Sequence, residues 1–189
     1  MKRFALAGAV LALAVPATAN AQEPVDPKKA AKAACKTLWK GEGGKAAVRA
    51  EYGSLGKCIT AWRSEVKAAN SNAAKECKAE RANPEWRSED GKTFAEFYGS
   101  NKNGKNAYGK CVSSKAKAKV KEQVEEETEA NANAAQACKT ERRADKDAFR
   151  QEYGTNKNKR NAFGKCVLAK KAEQAENGEE NDGGENPTP

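Results

Sequence analysis

Three times along the chain the apolar positions fall into one pattern. An alanine- and lysine-rich run carries a cysteine: AAKAACKTLWK (30–40), AAKECKAER (73–81) and AAQACKTER (134–142). These residues favour helix, and no proline interrupts them. A polar connection follows, and then an apolar pair four residues apart: Val48 and Tyr52, Phe94 and Tyr98, Phe149 and Tyr153. That spacing places both side chains on one face of a second helix. Gly53, Gly99 and Gly154 come next, where a helix end favours a residue that tolerates positive φ. A third helix carries the second cysteine inside an i, i+3, i+4 apolar stripe: Leu55, Cys58 and Ile59; Tyr108, Cys111 and Val112; Phe163, Cys166 and Val167.

The pattern predicts an all-α protein of three short helical repeats over residues 30–66, 73–112 and 134–171. The second and third share YGSNKNGKNAYGKC (98–111) and YGTNKNKRNAFGKC (153–166), identical at ten of fourteen positions. The first has a shortened form, YGSLGKC (52–58), whose missing seven residues correspond to two helical turns. A glycine stands two residues before each second cysteine (Gly56, Gly109, Gly164). Its recurrence predicts close approach of the first-cysteine helix; a helix that begins only after the glycine is the alternative.

Between repeats, residues 113–133 are polar, free of proline and glycine, with Val112, Ala116, Val120 and Val124 spaced by four. They read as a long, largely exposed linker helix. Asn70-Ser71-Asn72 reads as a break between the first two repeats. At the ends, residues 1–21 have the form of a signal peptide: Lys2 and Arg3, an apolar run from Phe4 to Val15 too short to span a bilayer, and an Ala19-Asn20-Ala21 cleavage motif. Residues 22–29 read as a flexible leader, and 172–189 as a disordered acidic tail.

Six cysteines in an exported chain read as disulfides. Metal binding is the alternative, but there is no histidine and no C-x-x-C. Repeat-internal pairing, Cys35–Cys58, Cys77–Cys111 and Cys138–Cys166, is favoured among the fifteen connectivities. A continuous helix between repeats would hold Cys58 and Cys77 about 28 Å apart, an argument that a break at 70–72 weakens.

The formal net charge is +9. Loss of Lys2 and Arg3 leaves +7, and setting aside the six acids of the tail leaves about +13 on residues 22–171. Such a body favours anionic partners, or is simply a solvated basic surface. The sharpest candidate for binding follows Gly99 and Gly154. There Ser100 and Thr155 would cap a helix, with Asn101, Lys102, Lys105, Asn156, Lys157, Lys159 and Arg160 in its first turns. Cations at that end oppose the helix dipole, so an anion bound by free N–H groups would complete the arrangement. The alternative is a solvated asparagine-rich turn. Gly99–Lys105 also spells G-x-x-x-x-G-K, but Asn106 replaces the Ser or Thr of a nucleotide-binding loop and no strand precedes it. Trp86, in the long connection of the second repeat, reads either as an exposed stacking platform beside Arg81 and Arg87 or as a cover for its own loop. Trp39 and Trp62 read as core. A histidine-based nucleophile is excluded, and no acid recurs in all three repeats, since Leu38 stands where Glu80 and Glu141 do.

The CKxER motif followed by YGTNKNKRNAFGKC resembles repeats of secreted bacterial proteins to which no activity is attached. It implies the repeat architecture and nothing more. The resulting expectation is a secreted or periplasmic, non-catalytic protein without cofactor. It binds an anionic polymer, such as an envelope polymer or extracellular nucleic acid, or serves as a structural or protein-interaction spacer. A glycan or cell-wall hydrolase is the third reading.

Overall fold

The computed structural model describes residues 25–179. The signal-peptide reading, residues 22–24 of the leader and the last part of the tail lie outside them. Among the described residues there are seven helices and no strand. They are α1 (Pro27–Lys40), α2 (Gly44–Tyr52), α3 (Leu55–Ala82), α4 (Phe94–Tyr98), α5 (Ala107–Ala144), α6 (Lys146–Tyr153) and α7 (Ala162–Glu179).

Helix starts follow capping chemistry. The Asp26 carboxylate accepts from the Lys28 and Lys29 N–H groups at 2.8 and 3.0 Å, with Pro27 in the first position. Helix therefore begins inside the stretch read as a leader. Asp145 does the same for α6, and Thr93 with Glu96 forms a capping box on α4. At the other end α7 runs on to Glu179, into the stretch read as tail.

All three disulfides are repeat-internal: Cys35–Cys58, Cys77–Cys111 and Cys138–Cys166. Each pair is fully buried at the centre of its own apolar cluster. The clusters are joined by two long helices. α3 carries both Cys58 and Cys77 without a break at Asn70-Ser71-Asn72. Asn70 instead donates from Nδ2 to the Val25 carbonyl at 2.9 Å and ties down the chain entering α1.

The linker forms the middle of α5, and it is not largely exposed. Ala116 sits in the second unit's cluster, and Val120 and Val124 pack into the first unit's. Asn131, Ala134 and Ala135 are buried further along. Residues four apart on a helix drift by about 40° around it, so one apolar row faces successive partners. Lys115 and Lys119 pair with Glu76 at 3.5 and 2.8 Å and fasten α5 to α3.

The first and third units also touch. α2 lies on α7, and Ala47 of α2 belongs to the third unit's cluster. At Gly164 an added Cβ would fall 2.8 Å from the Ala46 carbonyl oxygen and 3.1 Å from the Ala50 Cβ. The close partner of this glycine is thus α2 of another unit, not the first-cysteine helix. At Gly109 nothing lies within 4 Å, and at Gly56 only the Ser54 hydroxyl approaches, at 3.9 Å. All three glycines lie inside the first turn of their helices rather than before it. Lys171 reinforces the junction by pairing with Glu127 of α5 and with Glu51 of α2 at 3.4 Å. Lys139 and Glu42 add a pair at 2.6 Å.

Candidate functional site

The asparagine-rich segments 99–106 and 154–161 are loops, and α5 and α7 start only at Ala107 and Ala162. Ser100 and Thr155 therefore cap no helix, and the lysines do not stand in a first helical turn. The loops are closed by their own side chains. The Ser100 N–H donates to Asn106 Oδ1 (3.1 Å) and Asn106 Nδ2 donates back to the Ser100 hydroxyl (2.7 Å). Thr155 and Asn161 repeat both bonds at 3.1 and 2.6 Å. Asn103 and Asn158 accept from the N–H groups of Lys105 and Arg160, at 3.2 and 3.1 Å. These are local turns made by asparagine side chains. With the loops non-helical, the first repeat's deletion removes a loop rather than two helical turns.

Glycine is required at the loop entrance for space. At Gly99 and Gly154 φ is −72° and −80°, so positive φ is not the reason. An added Cβ would lie 2.2 Å from the Ala95 carbonyl oxygen or 2.5 Å from that of Arg150. Gly53, at φ +79°, is the helix end that uses the left-handed region. Five residues after the entrance both loops pass through that region, at Gly104 (φ 61°) and at Lys159 (φ 54°). A lysine there works against the usual preference for glycine; its Nζ donates to the Gly154 carbonyl at 2.7 Å.

The consequence is a cleft at the same place in the second and third units. In the second it occupies about 400 Å³ and is lined by Arg81, Trp86, Arg87, Phe94, Lys105 and Tyr108 among others. In the third it occupies about 470 Å³ among Arg142, Lys146, Arg150, Lys159 and Arg160, over Phe149 and Phe163. No lining residue of either is acidic. An arginine stacks on the aromatic ring opposite it in each: Arg81 over Tyr108 at 4.8 Å, Arg142 over Phe163 at 5.3 Å. Among the described residues Arg142, Lys146, Lys159 and Arg160 form no ion pair; Arg150 has a long one to Asp147, 3.9 Å.

Of the residues singled out in the sequence, Lys105, Lys159 and Arg160 line these clefts. Ser100, Asn101, Lys102, Thr155, Asn156 and Lys157 belong to the loops behind them and line neither. Trp86 is half-buried against Phe94, Phe97 and Tyr98, with ring centroids 5.7 to 5.9 Å away, and covers its own loop while forming cleft wall. Arg142, Lys146 and Arg150 were not anticipated. The signal for Arg142 lay in the alignment: Arg81 and Arg142 both stand four residues after the first cysteine, and Tyr108 and Phe163 three before the second.

Beside each of these two disulfides lies a second recurring set. Tyr98 and Tyr153 donate to Glu80 and Glu141 at 3.4 and 2.8 Å, and Lys115 and Lys170 pair with the same glutamates at 2.7 and 3.0 Å. In the first unit the corresponding positions hold Leu38 and Trp62, both buried. An ionic pair and an apolar pair therefore serve the same position. Replacing one partner of a largely buried pair is costly, whereas replacing both by apolar groups of suitable shape is tolerated. We expect Glu80→Leu to lose about 1–3 kcal/mol and Glu80→Leu/Lys115→Trp to recover most of it; urea melts of the two variants check this.

The set also governs pH response. Burial pushes the Glu141 carboxyl up, but hydrogen bonds from Lys170 and Tyr153 outweigh it and leave it below the usual range. Glu76 is likewise lowered, burial being outweighed by Lys119 and Lys115. Backbone N–H groups of Lys29 and Lys28 lower Asp26. A depressed folded-state pKa means that the unfolded chain binds more protons. Stability is then complete above the ordinary carboxylate pKa, about 4, and is lost as pH falls below it. Burial and Glu141 push Tyr153 up to about 12, and burial and Glu80 do the same to Tyr98. We expect unfolding midpoints to fall below about pH 4, less steeply in Glu141→Gln. Tyrosinate absorbance should show Tyr98 and Tyr153 ionising above free tyrosine.

Among the described residues no cluster of His, Cys, Asp or Glu has the arrangement to hold a metal ion, and no helix is long and apolar enough to cross a membrane. Comparison of the chain with protein-family models, with curated proteins and with solved structures finds no match in any of the three.

Proposed function

We propose that this is an exported, non-catalytic protein that binds an anionic polymer through the paired clefts of its second and third units. The observation that carries the reading is recurrence. Both clefts stand at equivalent positions and are walled by cations, with no acid in either lining. Cations around a concave surface without an acid in its lining concentrate anionic ligands. Export is supported by the three disulfides, which persist in oxidising compartments, and by the form of residues 1–21.

The test is the affinity of the oxidised chain for a nucleic acid and for an anionic wall polymer across a salt series. The logarithm of the association constant should fall linearly with log salt, with a slope near 0.7–0.9 per phosphate engaged. Absence of binding to either polymer at low salt would overturn the reading.

A further inference from the structure

The two clefts occupy the same place but differ in chemistry. Their equivalent positions run Arg81/Arg142, Phe94/Phe149, Lys105/Arg160 and Tyr108/Phe163. At three further positions the third unit has a cation where the second has none: Lys146 for Gly91, Arg150 for Ala95 and Lys159 for Gly104. The second unit instead adds an aromatic wall. Between α3 and α4 it inserts residues 83–93, whereas α5 and α6 of the third unit are separated by Asp145 alone. The insert delivers Trp86, and Phe97 stands where the third unit has Glu152. Phe97 is the large apolar side chain most exposed among the described residues, at 42%.

The insert is held in one shape. The Trp86 N–H donates to the Asn83 carbonyl at 3.1 Å, and Ser88 and Lys92 close a turn through two bonds of 2.9 and 3.1 Å. Arg87 donates to the Pro84 and Trp86 carbonyls at 2.8 and 2.7 Å, which fixes its guanidinium on the backbone of the insert. Behind the indole stand Phe94 and Tyr98. A supported ring flanked by fixed cations presents a flat π-surface at little entropic cost.

We propose that the second unit's cleft is a base-stacking subsite and the third unit's a phosphate clamp, so that the polymer bound is single-stranded nucleic acid. This rests on the polyanion reading above. A sugar ring also stacks on tryptophan, but its hydroxyls need acceptors, and among the lining side chains only Asn83, Thr93 and Tyr108 offer any, with Asn83 Oδ1 already accepting from the Glu85 N–H and the Tyr108 hydroxyl turned to the Ala74 carbonyl. An unpaired base with its phosphates asks for what the cleft holds, an aromatic face and cations. Bases within a duplex do not present that face.

The test compares, on the unmodified oxidised chain, a labelled oligothymidylate and an abasic strand with the same number of phosphates at one salt concentration. Oligothymidylate should bind about tenfold more tightly. Trp86→Leu should abolish that difference between the two strands, while Trp86→Phe keeps most of it. Equal affinity for the two strands in the unmodified chain overturns base stacking and leaves the basic-cleft reading standing. If neither strand binds at low salt, both fall. Because the first comparison uses no variant, misfolding of Trp86→Leu does not blunt it.

Discussion

Reducing the three disulfides should unfold the chain at room temperature. The bridges span 23, 34 and 28 residues, and loops of this size correspond to about 3–4 kcal/mol each in the chain-entropy account. Their sum, roughly 10 kcal/mol, is of the order of the whole stability of an ordinary domain. The cores around them have little in reserve. The second unit's buried cluster consists of Ala73, Cys77, Phe94, Ala107, Cys111, Val112 and Ala116, and three of these are alanines. Circular dichroism with and without a phosphine reductant reads the outcome. We expect loss of the near-ultraviolet signal and most of the helical signal. A reduced chain that keeps a cooperative melt within a few degrees of the oxidised one contradicts this account of what holds the units together.

The second large effect concerns three glycines that look equivalent in the sequence. Gly164→Leu should force α2 away from α7, because even a Cβ meets the Ala46 carbonyl at 2.8 Å. Overpacking of this kind costs about 1–3 kcal/mol and sometimes more, and here it opens the junction between the first and third units. Gly109→Ala should do the reverse. Nothing lies within 4 Å of its Cβ position, and alanine is favoured over glycine within a helix by about 1 kcal/mol. Thermal melts of the two variants should therefore shift in opposite directions. Gly164→Leu should also raise hydrogen exchange along α2 while sparing α4. Melts that shift alike at the two positions would mean that α2 does not pack on α7 as described.

Much of the architecture was legible because each unit repeats its own punctuation. The cysteine stripes, the apolar pairs of α2, α4 and α6 and the helix-favouring runs all register locally, and local signals survive without tertiary context. What failed depended on neighbours. The row Val112, Ala116, Val120 and Val124 was visible, but lysines and glutamates around it suggested exposure; which face is covered depends on α1 and α3, which the row does not reveal. The glycines of YGSNKNG and YGTNKNK suggested a helix end with positive φ, whereas Gly99 and Gly154 are needed because a carbonyl crowds the Cβ position. The Ser and Thr after those glycines suggested helix caps, whereas their hydroxyls accept from Asn106 and Asn161 and close the loops. For the clefts, Lys105, Lys159 and Arg160 were found from the repeat. Arg142, Lys146 and Arg150 come from three different places, the end of α5 and two positions on α6, and only folding gathers them.

The central functional claim is that charge acts at the clefts rather than over the whole basic surface. The most direct test keeps net charge constant and moves the lesion. Arg142→Ala/Lys146→Ala/Arg160→Ala empties the third unit's cleft of three cations. Lys32→Ala/Lys36→Ala/Lys67→Ala removes the same charge from exposed positions on α1 and α3. Affinity for one polyanion at 0.1 M salt should fall by about a hundredfold in the first variant, as expected for three lost phosphate contacts, and by less than about threefold in the second. Equal losses in the two would contradict a formed site and leave only diffuse attraction.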